Sequence, residues 1–342
     1  MQHVASNIDE RMKKLLTILL ITTFVSCQTR NSNRTKGDDK EINGLFKRNF
    51  EHSLISRGDN FPDFNYSKDS MDLFLIALHE NIPMDEFRNK TGFTETKIKK
   101  IEHLLESKNW LHYENGKPKP SIFITTDQEG KKLFEYTTPI SKEIVEKIEN
   151  ELSNIKQKFN QTEISKTQDF EKWSFLILSD VLLDSWQIDN VEKYFLKKEQ
   201  RPERHGKNYY YSIMENVENN RETFGIYGNQ YDEKDGKTFS IYGNNRIGIT
   251  DISSKNYISK ADNQILNEIA QDFEPTILNV LNRNSDYISK VYKETGYENE
   301  ISFEEFFIWW YHFIYTKATD IMNEKKMLIV PESGNFEYII EE

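Results

Sequence analysis

Residues 91–136, TGFTETKIKKIEHLLESKNWLHYENGKPKPSIFITTDQEGKKLFEY, decide how the first half of the chain folds. Thr91-Gly92-Phe93 is a tight turn, since Gly92 has no Cβ to oppose a positive φ. Thr94 is a good N-cap, although Lys97 stands where a capping box would place an acid. Ile98, Ile101, Leu104 and Leu105 then recur at helical spacing, which predicts a helix over Glu95–Asn109. Trp110–Tyr113 reads as a strand, Glu114–Pro120 as a turn rich in Asn, Gly and Pro, and Ser121–Thr125 as a second strand. Asp127-Gln128-Glu129-Gly130 opens a further helix, Lys131–Tyr136.

Immediately upstream, Met71, Leu73, Phe74, Leu75, Ile76 and Leu78 predict a short buried helix. Ile82-Pro83 breaks it, and Met84–Lys90 starts another. The succession helix, helix, turn, helix, β-wing, closing on Ile124-Thr125 and Gly130-Lys-Lys-Leu133, resembles a winged helix-turn-helix of the MarR-like kind. In that family the strand after the wing runs into a Leu-Thr-x-x-Gly-x-x-Leu segment; here the interval from Thr125 to Gly130 is longer by two residues. The resemblance covers Ser67–Tyr136, about a fifth of the chain. It implies a fold, a winged-helix domain over 67–138, more than an activity.

Further upstream stands Met12–Cys27, MKKLLTILLITTFVSC. Lys13 and Lys14 precede an uncharged run of 11 residues, Leu15–Val25, and then Ser26-Cys27. That order is a secretory signal, residues 1–26, and the run is well short of the ~20 residues that span a bilayer. Phe24-Val25-Ser26-Cys27 resembles the lipobox of bacterial lipoproteins, with Phe24 in place of the usual Leu. The resemblance implies that Cys27 is lipidated and becomes the mature N-terminus. The bland alternative is an incidental small residue in an apolar segment. Cys27 is the only cysteine, so disulfides, cysteine metal clusters and a cysteine nucleophile elsewhere are excluded. Met1–Arg11 is polar and unpatterned, and Met12 is read as the start. Residues 27–66 are polar and charged with no clear period, and are expected to form a flexible tether.

Downstream, Pro139 begins a charged helix, Ile140–Phe159, whose stripe is Ile144, Val145, Ile148, Leu152 and Ile155. It reads as a connector over 139–160, or alternatively as a dimerisation helix by comparison with MarR-like dimers. Residues 161–342 are expected to form an α+β domain. Asp169–Leu183 is its most hydrophobic helix, and Asp189–Leu196 a second. Tyr209–Met214, Thr223–Tyr227 and Thr238–Tyr242 read as strands of an antiparallel meander, with Asp235-Gly236 as a hairpin signal. Asn263–Asn282, Ser285–Thr295 and Ser302–Asn323 read as helices, and Met327–Val330 with Phe336–Ile340 as a closing hairpin.

The chain has 342 residues, room for about two domains. It is 37% hydrophobic and 13% aromatic, enough for a core without long aliphatic runs. No second stretch approaches membrane-spanning length, so the body is expected to be soluble. Removal of Met1–Ser26 takes away Arg11, Lys13, Lys14, Asp9 and Glu10 and leaves a net charge of −12. Such a chain is repelled by phosphate backbones unless its basic groups share one face.

Three sets of residues are candidates for function. Lys97, Lys99 and Lys100 on the recognition-like helix, with Lys117 and Lys119 on the wing, stand where DNA-binding relatives meet phosphate and base edges. Glu95, Glu102 and Glu106 share that helix, so the lysines read first as protein-contact or structural groups. Trp309 and Trp310, with Tyr311, His312 and Tyr315, are either core or an aromatic surface for a glycan or peptide. Asp180 and Asp184, four apart on a helix, could join His205 in a metal or acid–base site, or simply form a solvated edge. No HExxH, GxSxG or P-loop pattern is present.

The expected fold is α+β: an N-terminal winged helix-turn-helix followed by a domain of antiparallel sheet with flanking helices. The expected function is that of a lipid-anchored cell-envelope component, non-catalytic, binding a protein partner and the membrane through lipidated Cys27. Its expected location is the outer membrane, on the periplasmic or surface face. No cofactor and no metal are expected. A cytoplasmic DNA-binding regulator and an envelope enzyme with a site in the C-terminal domain are the alternatives.

Overall fold

Ile42 and Leu45 lie one turn apart on helix α1 (Asp38–Leu45) and are both buried. Phe50–Ile55 follows as strand β1. The computed structural model describes residues 38–217, 223–245 and 256–341. The signal-like Met1–Ser26, Cys27 and the first part of the expected tether lie outside the described residues. The rest of that tether is corrected, because residues 42–66 belong to the folded body. β1 pairs antiparallel with Tyr210–Glu215, Phe50 opposite Glu215 and Ile55 opposite Tyr210. A polar strand held by so distant a partner leaves no periodic signal of its own.

Three helices come next: α2 (Met71–His79), α3 (Met84–Thr91) and α4 (Glu95–Ser107). Gly92 ends α3 at φ 71°, and the Thr94 hydroxyl accepts from the Lys97 amide to begin α4. Strands β2 (Leu111–Glu114) and β3 (Lys117–Pro120) form a hairpin. Its turn is only Asn115-Gly116, both at positive φ, as a two-residue turn requires. The expected second strand therefore divides. Lys117–Pro120 completes the hairpin, and β4 (Phe123–Thr125) leaves for another sheet.

Helix α5 (Asp127–Tyr136) opens with a capping box, Thr126 bonding the Glu129 amide and Glu129 bonding back. Helix α6 (Thr138–Phe159) buries Ile140, Ile144, Val145, Ile148 and Ile155 within the chain, packing on later helices. Helix α7 (Phe170–Phe175) runs on as a π turn through Leu176–Val181, all of it buried. A short helix, α8 (Ile188–Asn190), is likewise continued by a π turn to Phe195.

Strand β5 (Tyr210–Glu215) then inserts between β1 and β4, antiparallel to the first and parallel to the second. Its side chains alternate between two cores, as a pleated strand demands. Tyr209, Tyr211 and Ile213 join Phe74, Phe87, Ile98, Ile101 and Trp110 on one side. Tyr210 and Met214 join the larger core on the other.

The expected meander is corrected in membership. Residues 223–225 form a 3₁₀ turn with Phe224 at φ 60°, and β6 (Gly228–Lys234) starts later. It pairs with β7 (Lys237–Gly243) through Asp235-Gly236, both at positive φ. The sheet is completed by β8 (Tyr257–Ile258) and β9 (Asn335–Glu341), in the order β6-β7-β9-β8. Met327–Val330 is not a strand, so β9 pairs with β7 and not with a local partner.

Helices α9 (Lys260–Arg283), α10 (Ser285–Glu294) and α11 (Phe303–Glu324) carry the larger core. Pro275 lies inside α9. Every residue from Glu305 to Thr316 of α11 is buried. Each large apolar side chain so buried contributes roughly 1.5–3 kcal/mol of transfer free energy, which makes α11 the axis of this half. Ile42–Glu342 forms one compact α+β unit. Among the described residues no helix is long and apolar enough to cross a membrane.

Candidate functional site

Three of the five lysines of α4 and the hairpin are engaged by carboxylates. Lys97 is ion-paired with Asp69 and lies over the Phe93 ring. Lys99 reaches Glu95 at 3.2 Å, one turn back, and Lys100 is exposed. On the hairpin Lys117 is exposed, while Lys119 is half-buried with its Nζ 3.9 Å from Glu300. Lys97, Lys99 and Lys119 thus each have a carboxylate within reach, while Lys100 and Lys117 stand exposed.

Trp309 and Trp310 are core residues, not a partner surface. Trp310 is fully buried and donates to the Leu133 carbonyl at 3.0 Å, tying α11 to α5. Trp309 packs against Phe123 and His312.

Asp180 and Asp184 sit on the π turn and just beyond it, and both are buried rather than at a solvated edge. Asp180 accepts from the Ser185 amide at 3.1 Å, from Asn229 at 3.1 Å and from the Tyr338 hydroxyl at 3.0 Å. Burial pushes its carboxyl up to about 6 against these hydrogen bonds. His205 is absent from this group. It occupies an exposed turn at φ 55°, on the strand-β5 side of Arg204. His205 is therefore not their partner, and a substrate would have to displace Tyr338 or Asn229 to reach Asp180. The arrangement can take up a proton near neutral pH. Among the described residues no group of three His, Cys, Asp or Glu could hold a metal ion.

The most organised ionic centre touches these candidates only through Lys119, 3.9 Å from Glu300. His79, at the end of α2, points its Nδ1 at Glu300 (2.6 Å) and its Nε2 at Glu129 (3.0 Å). Burial alone would lower the imidazole, but the two carboxylates overcome it and hold His79 up to about 10. Glu129 is half-exposed; against its partial desolvation the imidazolium and Thr126 pull it down to about 2. The ring thus bridges α2, the first turn of α5 and the segment before α11, and the carboxylates favour its charged form.

A second centre is the buried pair Arg204–Glu305, 2.7 Å apart with both side chains 2% exposed. Arg204 also donates to the carbonyls of Asn109, Ser121 and Tyr209, and Glu305 accepts from the Tyr211 amide. The guanidinium fork therefore pins the hairpin's flanks, β5 and α11 at one point. The only sequence signals for these centres were the two capping-box spacings, Thr126-x-x-Glu129 and Ser302-x-x-Glu305. Ser302 does cap α11, but Glu305 turns to Arg204 instead of back to Ser302.

Both centres join segments far apart in sequence, so they act as staples. Of the candidate lysines, Lys99, Lys100 and Lys117 are open to solvent. Comparison with protein-family models, with curated proteins and with solved structures finds no match, so what this surface can do follows from its own geometry.

Proposed function

We propose that the chain is a lipid-anchored lipoprotein of the bacterial cell envelope. It acts as a non-catalytic binding or assembly component, with a winged-helix unit over residues 67–138 as its protein-contact module. The observation that carries this reading is the order Lys13-Lys14, Leu15–Val25, Ser26-Cys27, with the sole cysteine of the chain at the cleavage position. The helices α2, α3 and α4 followed by the β2–β3 hairpin support the winged-helix part. The pairing of Lys97 with Asp69 and of Lys99 with Glu95 supports a protein contact over a nucleic-acid one, since these cations are already partly neutralised. A single acyl chain binds a bilayer only marginally, so stable anchoring takes the several chains that bacterial lipoproteins carry.

The test is the N-terminal mass and membrane partitioning of the expressed protein beside a Cys27→Ala variant. The expected result is a membrane-bound chain that begins at acylated Cys27, with both properties lost in the variant. An intact, unmodified N-terminus on soluble protein would overturn the reading. The lysines of α4 would then become the functional centre of a DNA-binding regulator.

A further inference from the structure

The three-stranded sheet β1-β5-β4 has one covered edge and one open edge. β4 is covered by Tyr297, whose hydroxyl donates to the Ile124 carbonyl at 2.7 Å and whose ring stacks on Phe123 at 5.1 Å. On the other side stands β1, none of whose residues is buried, beside β5, all of whose residues are. The Asn216 amide donates to the Asn49 carbonyl at 2.8 Å, which makes these two a hydrogen-bonded pair of the antiparallel ladder. Pairing alternates along the strand, so Glu51, Ser53 and Ile55 bond to Met214, Ser212 and Tyr210. The N–H and C=O groups of Phe50, His52 and Leu54 therefore point away from β5, and among the described residues they meet no hydrogen-bond partner.

Open edges invite a further strand, and folded chains guard them with lysine, proline, bulges or other charge. The second sheet does so, since its edge strand β6 carries Asp232, Glu233 and Lys234 in its exposed half. β1, FEHSLI, has no lysine and no proline, and its ladder with β5 runs unbroken over six pairs. Leu54 on it is 38% exposed. An edge so unguarded calls for a strand to cover it.

The strand is complementary to its own copy. A two-fold axis through His52 sets Phe50 against Leu54 of the second copy, an apolar cross-strand pair, and Glu51 against Ser53, a carboxylate against a hydroxyl. The outward groups of Phe50, His52 and Leu54 then face one another in register, each pair exchanging two hydrogen bonds. Only His52 meets its like. Burial lowers its imidazole against Asp72 and Glu51, so at neutral pH the axis holds no like charges. The cations at the ends of the strand are neutralised within each copy, Arg48 by Glu80 and Glu215, and Arg57 by Asp189. Residues 42–126 carry 12 Lys and Arg against 12 Asp and Glu, whereas residues 127–342 carry 26 against 39. Two such acidic chains meet with least repulsion through the neutral part, which contains β1.

We infer that β1 pairs antiparallel with β1 of a second copy about this axis, joining the two three-stranded sheets into one continuous sheet. The contact is isologous and closes at two copies, because each chain offers this edge once. It engages no residue of α4 or of the β2–β3 hairpin.

Sedimentation of residues 27–342, which contain the whole compact unit, tests this in reducing buffer, where Cys27 forms no cross-link. As concentration rises the mass should double and go no further. Leu54→Pro removes an outward donor and an exposed side chain while leaving the bonds to β5 in place. That variant should stay a monomer at every concentration, with the circular dichroism of the parent. Amide hydrogen exchange on the unsubstituted chain gives a second, independent reading. In the dimer the amides of Phe50, His52 and Leu54 should exchange several-fold more slowly than in the dilute monomer, while those of Glu51, Ser53 and Ile55 keep one rate. A monomer throughout, assemblies beyond the dimer, or a folded Leu54→Pro dimer would overturn the proposal. So would protection of Phe50, His52 and Leu54 that ignores concentration, since another segment of the same chain would then hold the edge. If Leu54→Pro fails to fold, the alternating exchange pattern decides.

Discussion

His79 Nδ1 stands 2.6 Å from Glu300 Oε2, across 221 residues of sequence. That contact joins the last residue of α2 to the turn before α11. It does so from a buried ring whose other nitrogen meets Glu129 at 3.0 Å. The two halves of the body, which periodicity alone would separate, are thus tied by a charged bridge as well as by the shared sheet around β5.

Breaking the bridge should cost more than a surface ion pair. His79→Gln takes from Glu300 and Glu129 the cation they share, leaving only Lys119 at 3.9 Å from Glu300, and a loss of about 3 kcal/mol is expected, as for other buried pairs stripped of one partner. The pH dependence has a definite sign. His79 is raised from 6.5 to about 10, so its contribution is full below pH 6.5 and disappears as pH rises through 10. Glu129 is lowered from 4.5 to about 2, so its contribution is full above pH 4.5 and disappears as pH falls through 2. Urea unfolding should therefore show the largest gap between wild type and His79→Gln at pH 4.5–6.5. A constant gap up to pH 11 would show that the bridge is uncharged.

Asp180 behaves in the opposite sense. Its folded-state value of about 6 lies above the ordinary 3.8, so folding favours the protonated form. That contribution is present below pH 3.8 and is lost as pH rises through 6. Asp320 is raised to about 6 in the same direction by burial, against Lys317 and Tyr227. Asp180→Asn should flatten the fall in stability between pH 4 and 6.5, by an amount of order 2 kcal/mol. The double variant Asp180→Asn, Asp320→Asn should flatten it further. An unchanged slope in both would mean that water reaches these carboxyls in solution.

The helices were legible because their apolar periods are local: Ile98, Ile101 and Leu105 announce α4, and Ile140 to Ile155 announce α6. The hairpin turns were legible where Gly takes positive φ beside Asn115 or Asp235. Strand β1 was not, since FEHSLI has neither alternation nor β-branched density and exists because β5 pairs with it. Thr223–Tyr227 looked like a strand by composition, yet Phe224 adopts φ 60° so that its ring can fill the space above Gly130. Among the candidate residues, Trp309 and Trp310 went to the core because consecutive aromatics on a helix entirely surrounded by protein cannot avoid it. The His79 and Arg204 centres lay beyond reach, because each draws partners from three or four distant segments and no spacing rule links them.

Gly130 allows a prediction that reverses the usual helix rule. In an exposed helix Gly→Ala stabilises by up to about 1 kcal/mol. A Cβ at Gly130 would collide with the Phe224 ring, and that ring is held against Phe313 at 5.4 Å. Gly130→Ala should therefore destabilise by about 1–3 kcal/mol, the range for an overpacked core. The companion Gly130→Ala, Phe224→Ala, which removes the obstructing ring, should show a smaller effect of the alanine than the wild-type background does. Thermal unfolding of the four proteins measures the coupling, and an additive pair would place Phe224 elsewhere in solution.

The last prediction concerns what α4 does not bind. Non-specific DNA affinities at physiological salt run from about 10⁻⁴ to 10⁻⁶ M for proteins that offer several free cations to the backbone. Here Lys97 and Lys99 already have carboxylate partners, Lys119 lies near Glu300, and the residues beyond 126 add an excess of acids. Fluorescence anisotropy with a short duplex should thus give no binding tighter than about 10⁻⁴ M at physiological salt. Lys97→Ala, Lys99→Ala and Lys100→Ala should make no difference to that baseline. If the duplex binds in the micromolar range, the slope of log affinity against log salt counts the phosphates engaged at about 0.9 each. A slope of three or more phosphates, reduced by the lysine variants, would turn α4 into a recognition helix and overturn the protein-contact reading. A flat salt dependence would leave α4 and the hairpin as the surface on which a protein partner is to be sought.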